Sequence, residues 1–474
     1  MSPFFILSGL FLGWSLGAND AANIFGTAVK TKMVSFRKAA ILASIFVVIG
    51  SVVSGKGTSL TLVKLGSINA IGGAFTVALC AGITVAWMTK LGLPVSTTQA
   101  IIGGIIGWNL FTGSLIEGKE LKNIILSWFS SPLLTAIFSF LLFKFLRYFF
   151  SKAKLHLLTV DNILREGLIF AGIIGAYTLG ANNIANVIGI FIPNFPLREI
   201  FIGRFFSIKS DEILLFLGGL SIALGIITYS RRVIDTVGSD IFKLSPLSAF
   251  VVVLSESLVL FLFSSKTISN ILGFCHLPKI PLVPVSSSHC VVGGVIGIGL
   301  AKGVKGMNIK TISKIVFGWV FSPLFTMILT FFLLFFVQNV FKIEVSKVTN
   351  YSINGDYIKR LKDEVNIDNL KNIKDKTYNN AYELYRDLKI SGIEKKKIKE
   401  IIEGARIENI YIEPQKMENF ILNQKLKNEQ IQRLRDMKGK KFVYRWEIRD
   451  YLNRIWDLKK ESNKIDDFIN YFKN

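Results

Sequence analysis

Long apolar segments separated by short polar stretches fill the first 341 residues of the chain. They lie at 3–29 and at about 39–62, 68–90, 94–112, 122–150, 163–192, 213–230, 245–264, 267–283, 285–300 and 310–341. Many reach the roughly 20 residues that a helix needs to cross a bilayer. Others are rich in Gly or interrupted by Pro, so we expect about ten to twelve membrane-embedded pieces, not all of them full spans. The pattern predicts an all-α polytopic membrane protein.

The character of the chain changes near residue 341. Residues 341–474 carry 30 Lys and Arg and 22 Asp and Glu, whereas the first 340 residues carry 26 and 11. Helical periodicity at 390–402 and 431–455 indicates amphipathic helices with charged, solvated faces. We therefore expect a small soluble helical domain at 342–474. Its sequence has no metal-ligand spacing, no Gly-rich phosphate loop and no nucleophile–base pair.

Composition and charge narrow the class of protein. A hydrophobic content of 51% excludes a disordered chain. The net charge of +23 does not predict nucleic-acid binding, because cytoplasmic loops beside membrane spans retain Lys and Arg. Lys30, Lys32, Arg37 and Lys38 follow the first apolar segment and place that loop in the cytoplasm and the N-terminus outside. We expect a multi-pass protein of the cell (inner or plasma) membrane with a cytoplasmic C-terminal domain.

Three motifs occur twice, in the same order. Residues 17–23 (GANDAAN) recur at 180–186 (GANNIAN), residues 94–104 (PVSTTQAIIGG) at 284–294 (PVSSSHCVVGG), and residues 128–133 (WFSSPL) at 319–324 (WVFSPL). Two related halves with broken segments at matching places are typical of secondary transporters. We predict a first repeat at 1–155 and an inverted second repeat at 156–341, with an insertion of about 27 residues between the first two motifs of the second copy.

The first motif predicts a cation site. Asp20 is ionisable yet lies within an apolar segment, which costs at least about 2.5 kcal/mol and marks a functional site by default. Residues three and four apart share a helical face, so the motif directs carboxylate and amide oxygens to one place, as small cations such as Na⁺ require. The alternative is that buried amides join helices. The predicted Na⁺ ligands are Asn19, Asp20, Asn23, Asn182, Asn183 and Asn186.

The second motif predicts an anion site. Pro followed by Ser or Thr begins a helix, and the free N–H groups and positive dipole at a helix start bind anions. The hydroxyl donors are Ser96, Thr97, Thr98, Ser286, Ser287 and Ser288. We interpret 94–112 and 284–301 as two re-entrant hairpins lining a cavity, against the alternative of kinked, capped helices. Neither motif contains Lys or Arg, so more than one cation is expected to accompany each divalent oxyanion.

These paired motifs, together with residues 231–238 (RRVIDTVG), resemble the PiT family of inorganic phosphate transporters over about residues 9–340. The resemblance implies uptake of phosphate with Na⁺, or with H⁺ in some bacterial members. It also implies an inverted repeat whose two re-entrant hairpins meet at the substrate, commonly in a homodimer. Carried onto this chain, the resemblance adds Gln99 and His289 to the hydroxyls above and gives Asp20 a place at the phosphate as well. Packing at the hairpin tip remains an equal alternative for Gln99 and His289.

The sequence departs from the family at several places. Asn183 stands where many members have Asp, and Val47 where animal members carry Glu. Glu256 lies in an embedded segment, where it is either a coupling residue or a hydrogen-bonded structural acid. The insertion at about 263–280 has no counterpart in the first half, and the tail after Phe341 falls outside the resemblance. These departures leave the coupling ion open between Na⁺ and H⁺.

The sequence therefore favours a cation-coupled phosphate symporter of the bilayer, with Na⁺ favoured, that works by elevator-like alternating access. Na⁺ and phosphate are the transported species, and no cofactor is expected. A sulfate or other oxyanion symporter of the same fold is the nearest rival. A membrane anion sensor is the rival of another class. An enzyme is the weakest, since Ser288 and His289 are chain neighbours and do not make a nucleophile–base pair by proximity in sequence.

Overall fold

Helices make up most of the chain in the computed structural model. The structure describes residues 3–66, 68–92, 95–153, 155–194, 200–202, 206–208, 210–231, 234, 244–303, 309–363, 365, 370, 372–422, 428–453, 455–456, 468–469 and 471–472. The chain separates into two units. The first comprises Met1–Phe111 and Ile116–Lys347, and the second comprises Thr112–Leu115 and Val348–Asn474.

The described part of the first unit contains twelve α-helices. They are α1 (Leu7–Lys30), α2 (Phe36–Ser54), α3 (Lys56–Gly66), α4 (Ile71–Lys90), α5 (Thr97–Thr112), α6 (Gly118–Lys152), α7 (Leu157–Ile188), α8 (Ser210–Thr228), α9 (Pro246–Ser264), α10 (Lys266–Phe274), α11 (Ser287–Ala301) and α12 (Ile309–Asn339). A 3-10 turn at Pro3–Ile6 precedes α1, and strands β1 (Ile200–Ile202) and β2 (Phe206–Ile208) pair antiparallel between α7 and α8.

Six of these helices, α2, α4, α6, α8, α9 and α12, are long and apolar enough to cross a membrane. At 1.5 Å per residue, α1 with 24 residues and α7 with 32 are also long enough. These two carry the polar motifs Gly17–Asn23 and Gly180–Asn186 within the helix. The prediction of a mainly helical, multi-pass membrane protein is confirmed.

The predicted hairpins are built differently from the expectation. Residues 97–112 and 287–301 each form a single helix, α5 and α11, so the prediction that each segment folds back on itself is wrong. A helix of 16 or 15 residues is shorter than the roughly 30 Å hydrocarbon core. α5 packs antiparallel to α4, with Gly73 beside Trp108 and Gly104 beside Val77, and Gly294 of α11 lies beside Val252 of α9. The two arms of the first hairpin are therefore α4 and α5, and those of the second are α9 and α11. The first arms, α4 and α9, are the helices that the sequence predicted as separate spans.

Two predicted segments differ from single membrane spans in the structure. The segment at 39–62 breaks at Gly55 into α2 and α3. The segment at 267–283 is not a membrane span, because α10 has nine residues and the chain after it is irregular up to Ser286. Phe274 at the end of α10 is 88% exposed. Pro94, the predicted start of the first hairpin motif, lies outside the described residues.

The two halves of the unit pack by the same contacts, exchanged between them. A Cβ on Gly103 of α5 would overlap the carbonyl oxygen of Pro323 in α12, and a Cβ on Gly293 of α11 would overlap that of Pro132 in α6. Each short helix therefore rests on the Pro-containing helix of the other half, and only glycine permits the approach of the two backbones.

The helices that carry the first motif run in opposite directions. Gly9 near the start of α1 lies beside Phe191, just after the end of α7, while Phe25 near the end of α1 lies beside Gly172 in the first half of α7. The equivalent polar motifs consequently meet where the two helices pass each other.

The start of α1 and the end of α12 lie at the same end of the unit. Phe5 packs edge-on against Phe75 in the first turns of α4, with ring centroids 5.8 Å apart. Gly72, in the same turn of α4, closely approaches the carbonyl oxygen of Glu344. The chain therefore leaves the first unit at the end where it entered.

The second unit is small and is not purely helical. Helices α13 (Gly355–Arg360), α14 (Ala381–Ile390), α15 (Lys395–Ala405), α16 (Pro414–Leu422), α17 (Asn428–Arg435) and α18 (Arg445–Asn453) accompany two antiparallel strand pairs, β3 (Tyr351–Ser352) with β4 (Thr377–Tyr378) and β5 (Ile407–Tyr411) with β6 (Lys441–Tyr444). A 3-10 turn at Leu361–Asp363 follows α13. Two hydrophobic clusters, one around Leu384 and one around Leu434, form its core.

Candidate functional site

The two copies of the first motif meet side chain to side chain. Nδ2 of Asn183 in α7 donates a hydrogen bond to Oδ2 of Asp20 in α1 over 3.2 Å. These residues occupy the same place in their repeats, and both are buried. The exposed fraction of Asp20 is 3%, so its carboxylate is withdrawn from water within a segment that is otherwise apolar.

Each copy of the first motif also forms a hydrogen bond with the short helix of the other half, which is α11 for the first copy and α5 for the second. Nδ2 of Asn23 donates to Oγ of Ser287 over 2.8 Å, and Nδ2 of Asn186 donates to Oγ1 of Thr98 over 2.9 Å. The predicted cation and anion motifs therefore form one connected network. Sequence reasoning placed them in one site, and the structure brings them into contact.

A serine of the second motif caps each of the two predicted helix starts, Ser96 for α5 and Ser286 for α11. The backbone N–H of Gln99 donates to Ser96 Oγ over 3.2 Å, and that of His289 donates to Ser286 Oγ over 3.3 Å. A Ser that satisfies one N–H of the first turn is a normal N-cap. Other N–H groups of the first turn have no partner within their helix, and they supply the donors and the positive dipole end that an anion needs.

Some of the predicted ligands also form hydrogen bonds that hold the site together. Asn182 donates to the carbonyl of Val285 over 2.6 Å and accepts from the Val285 N–H over 2.9 Å. Asn19 donates to Thr89 Oγ1 over 2.7 Å, and Ser288 donates to the carbonyl of Val95 over 2.9 Å. The bonds of Asn182 fix Val285, which precedes α11, to α7. The other two bonds join the end of α4 to α1 and join Val95, which precedes α5, to α11. No sequence pattern predicted the contacts of Thr89 and Val285.

Glu256 lies in the same network. It is 1% exposed, and its Oε1 accepts a hydrogen bond from Ser287 Oγ over 2.7 Å. Because Ser287 also accepts from Asn23, a continuous path of hydrogen bonds joins α9, α11 and α1. The sequence predicted an embedded acid at Glu256, and the structure places it beside the anion motif of the second half.

Several buried oxygens of the site have no hydrogen-bond partner among the residues that the structure describes. They are Asp20 Oδ1, Asn19 Oδ1, Asn186 Oδ1 and Glu256 Oε2. Such oxygens are unfavourable unless a ligand satisfies them. Oxygen-only ligands suit a hard cation. Within the described residues, no group of three or more His, Cys, Asp or Glu could hold a metal ion.

The side chains of Gln99 and His289 make contacts that differ from those of the hydroxyl residues in the second motif. His289 Nδ1 lies 3.0 Å from the carbonyl oxygen of Trp128, and its ring centroid is 3.8 Å from that of Trp319. The third repeated motif thus contacts His289 through its two tryptophans. Gln99 Oε1 and His289 Nε2 are both buried without a partner in the described part of the chain.

The basic motif of the resemblance is only partly described. Arg231 is exposed, and its guanidinium lies 5.7 Å from the ring centroid of Phe36. Residues 232–233 and 235–238 lie outside the described residues. The position of Arg231 beside the α1–α2 connection agrees with an anchor at the membrane surface.

A family model for the phosphate transporter family matches residues 16–269 and 280–432. The match passes residue 341, so the expectation that the resemblance ends there is wrong. Among curated proteins, one from Pyrococcus furiosus, provisionally named a phosphate permease, is 29% identical over 66% of this chain and 90% of its own length. One from Pyrococcus abyssi with the same provisional name is 30% identical over 67% of this chain and 94% of its own length.

A solved structure described as the sodium-dependent phosphate transporter has the same fold. It covers 70% of this chain and 98% of its own, with a TM-score of 0.56 and 23% identity. The resemblance inferred from the repeated motifs is confirmed, as is the expectation of a transporter and not an enzyme. With more than half of its length matched by the family model, this chain belongs to the phosphate transporter family.

Proposed function

We propose that this protein imports inorganic phosphate together with Na⁺. The observation that carries the proposal is the set of unpartnered, buried oxygens around Asp20, placed next to two capped helix starts. A membrane protein retains buried polar groups of this kind where they bind what it transports.

The cation is held by oxygens of α1, α7 and α9. Asp20 supplies one carboxylate oxygen without a protein partner, and Asn19 and Asn186 supply amide oxygens. Glu256 adds a second carboxylate as the coupling residue. Neither anion motif contains a Lys or Arg, so bound cations and helix dipoles balance the charge of phosphate. Phosphate and cation then strengthen each other's binding reciprocally.

The anion is held by the starts of α5 and α11. The hydroxyls of Ser287 and Ser288 already donate to Glu256 and to the Val95 carbonyl. The hydroxyls of Ser96, Thr97, Thr98 and Ser286 and the first-turn N–H groups of both helices provide donors without a formal charge. In this proposal Gln99 and His289 also contact phosphate, since each has a buried polar atom without a hydrogen-bond partner among the described residues.

Alternating access moves the hairpins that bear the site relative to the remaining helices, in an elevator-like manner. Its support is the exchanged packing of the halves and the opposite directions of α1 and α7, which favour an inverted repeat. Assembly as a homodimer remains part of the proposal by resemblance alone.

We place both the N-terminus and the C-terminal unit outside the cytoplasm. The connections at the far ends of α1, α6 and α11 are rich in basic residues, among them Lys30, Lys38, Lys152 and Lys302, and the positive-inside rule makes that end cytoplasmic. The chain enters and leaves the first unit at the opposite end.

Uptake of radiolabelled phosphate into proteoliposomes tests the proposal. Uptake with an inward Na⁺ gradient and none with an inward H⁺ gradient is the expected result. Uptake with H⁺ alone would mean that protons drive phosphate uptake and that Asp20 and Glu256 carry them. Inhibition of uptake by sulfate as strongly as by unlabelled phosphate would favour the sulfate rival, and binding without accumulation would favour the sensor.

A further inference from the structure

The segment that follows α12 contacts the open end of the first hairpin, where α4 begins and α5 ends. We call this segment, residues 343–347, the connector. At its start the connector is bonded to α12, because the N–H of Ile343 donates to the carbonyl oxygen of Val337 over 3.1 Å. Its later residues are bonded to the hairpin instead. The connector therefore joins α12 to one of the hairpins that move in the proposed transport cycle.

Two side chains of the hairpin hold the connector by hydrogen bonds. Asn69, just before α4, donates to the carbonyl oxygen of Lys347 over 2.8 Å and accepts from the N–H of Lys347 over 2.9 Å. The indole N–H of Trp108, near the end of α5, donates to the carbonyl oxygen of Val345 over 2.9 Å. A Cβ on Gly73 of α4 would overlap the same carbonyl oxygen, so the two backbones approach closely at this point.

The end of α5 is also held within the second unit. Thr112–Leu115 belong to that unit. The N–H of Tyr382, in the first turn of α14, donates to the carbonyl oxygen of Gly113 over 3.1 Å. First-turn N–H groups have no partner within their own helix, so this bond satisfies one of them. Leu115 packs against the hydrophobic cluster around Leu384. The residues that end α5 thus fold with the second unit.

The second hairpin has other residues at the positions that hold the connector. Residues 74–79 (AFTVAL) of α4 correspond to 249–254 (AFVVVL) of α9, and in this register Leu244 stands where the first hairpin has Asn69. The repeated second motif likewise aligns Ile298 with Trp108. Neither Leu nor Ile has a side-chain donor or acceptor. The hydrogen bonds that fasten the first hairpin therefore have no side-chain equivalent in the second.

The turn after each short helix shows the same difference. Gly113 and Gly303 each lie nine residues after the last glycine of their copy of the second motif, and their φ angles are 67° and 85°. Glycine in this left-handed conformation is a common helix end. A Cβ on Gly113 would meet the side chain of Asn380, whereas a Cβ on Gly303 would meet nothing within 4 Å in the described part of the chain. Only the first of these turns is thus held by a neighbour that the structure describes.

We propose that the connector is a latch: it fastens the open end of the first hairpin to α12, and its bonds to Asn69 and Trp108 open before that hairpin moves in the transport cycle. This inference rests on the alternating access of the proposed function. The connector is bonded to α12 at Ile343 and to the hairpin at Lys347, and a chain spans at most about 3.3–3.6 Å per residue. Displacement of the hairpin relative to α12 therefore stretches the connector and breaks its bonds to the hairpin. Opening of the latch limits the rate of uptake.

Asn69→Leu tests the latch, because it removes both bonds to Lys347 and introduces the side chain that the second hairpin has at 244. The maximal rate of Na⁺-driven phosphate uptake is expected to rise about fivefold, since fewer hydrogen bonds must open. The phosphate KM is expected to stay within about twofold, because Asn69 is not a residue of the site. An unchanged maximal rate would overturn the inference.

Asn339→Ala is the matched control. The amide of Asn339 donates to the carbonyl oxygen of Phe335 within α12, so its loss breaks a hydrogen bond that does not join α12 to the hairpin. Its maximal rate is expected to equal that of the wild-type protein. A rise as large as that of Asn69→Leu would also overturn the inference, because the effect would then not depend on the latch.

A cross-link provides an independent test. Asn69→Cys and Lys347→Cys are combined in a Cys275→Ser background and joined in detergent by a short bis-maleimide before reconstitution. Uptake by the cross-linked protein is expected to fall at least about tenfold below that of the two single-cysteine variants treated with the same reagent. Uptake at the rate of the single variants would show that the latch need not open. If Asn69→Leu does not fold, judged by gel filtration in detergent, the cross-link decides alone.

Failure of this inference is distinct from failure of the proposed function. If the wild-type protein accumulates no phosphate under a Na⁺ gradient, the proposed function is wrong and this inference falls with it. If the wild-type protein does accumulate phosphate and the cross-linked protein does so equally well, the symporter stands and only the latch is wrong.

Discussion

Asp20 and Asn183 occupy the same place in the two repeats, and they are hydrogen-bonded to each other over 3.2 Å. A contact between equivalent residues lies where the two halves of the molecule meet. Because one partner is a carboxylate and the other an amide, the pair carries one negative charge. That charge stands next to buried oxygens that lack partners in the described part of the chain, which makes Asp20 the centre of the proposed cation site.

Asp20→Asn is expected to abolish Na⁺-driven phosphate uptake. The amide has the size of the carboxylate, and its oxygen still accepts the bond from Asn183, so the fold is preserved while the charge that attracts the cation is lost. Uptake into proteoliposomes and gel filtration of the same preparation measure the two properties. Na⁺-dependent uptake at the wild-type rate in the variant would refute the role given to Asp20.

Gly103→Ala is expected to destabilise the first unit. Its Cβ would overlap the carbonyl oxygen of Pro323, so α5 and α12 must separate, at a cost of about 1–3 kcal/mol. Gly118→Ala, in the first turn of α6, is the control, because a Cβ there meets nothing within 4 Å. Thermal unfolding in detergent is expected to show a lower Tm for the first variant and an unchanged or slightly higher Tm for the second. Equal Tm values for both variants would argue against the close packing of α5 on α12.

Cysteine labelling tests the proposed side of the membrane for the C-terminal unit. Lys399→Cys in that unit is expected to react with a membrane-impermeant maleimide added to intact cells, whereas Lys152→Cys, at the end of α6, is expected to react only after the membrane is opened. Both substitutions are made in a Cys275→Ser background, because Cys275 is exposed and the other cysteines are buried. The opposite labelling pattern would place the N-terminus and the C-terminal unit in the cytoplasm.

An ion-pair cluster in the second unit gives a pH dependence. Hydrogen bonds from Arg435 and then Lys438 lower the pKa of Glu418 below its ordinary value of 4.5. A lowered pKa in the folded state stabilises above the unfolded pKa, and this contribution is lost as the pH falls through the folded value. Glu418→Gln is expected to speed amide hydrogen exchange in α16 and α17 at pH of about 7, after correction for intrinsic exchange rates, with the difference fading below pH of about 4. A difference that is the same at both pH values would exclude the ion pairs as its cause.

The sequence was sufficient for the family, because the motifs repeat in order and place Asp, Asn, Ser and Thr inside apolar segments. The contacts of Asn183 with Asp20 and of Asn23 with Ser287 show that these motifs meet in space, while the ligands of the site stay a prediction. It was not sufficient for the hairpins, since the pairing of α5 with α4 depends on contacts such as Val77 with Gly104. The bond from Ser287 to Glu256 joins separate helices and has no local signal. The side of the membrane that holds the C-terminal domain stays a prediction, because hydropathy gives spans but not which of them return.

Simultaneous measurement of sodium and phosphate fluxes tests the central claim most directly. Proteoliposomes holding the wild-type protein are given labelled phosphate and labelled Na⁺, with and without the other species. The account predicts that each solute drives uptake of the other, with more than one Na⁺ entering per phosphate, and that Asp20→Asn removes both effects. Phosphate accumulation that is independent of Na⁺, or Na⁺ uptake that phosphate does not change, would contradict it.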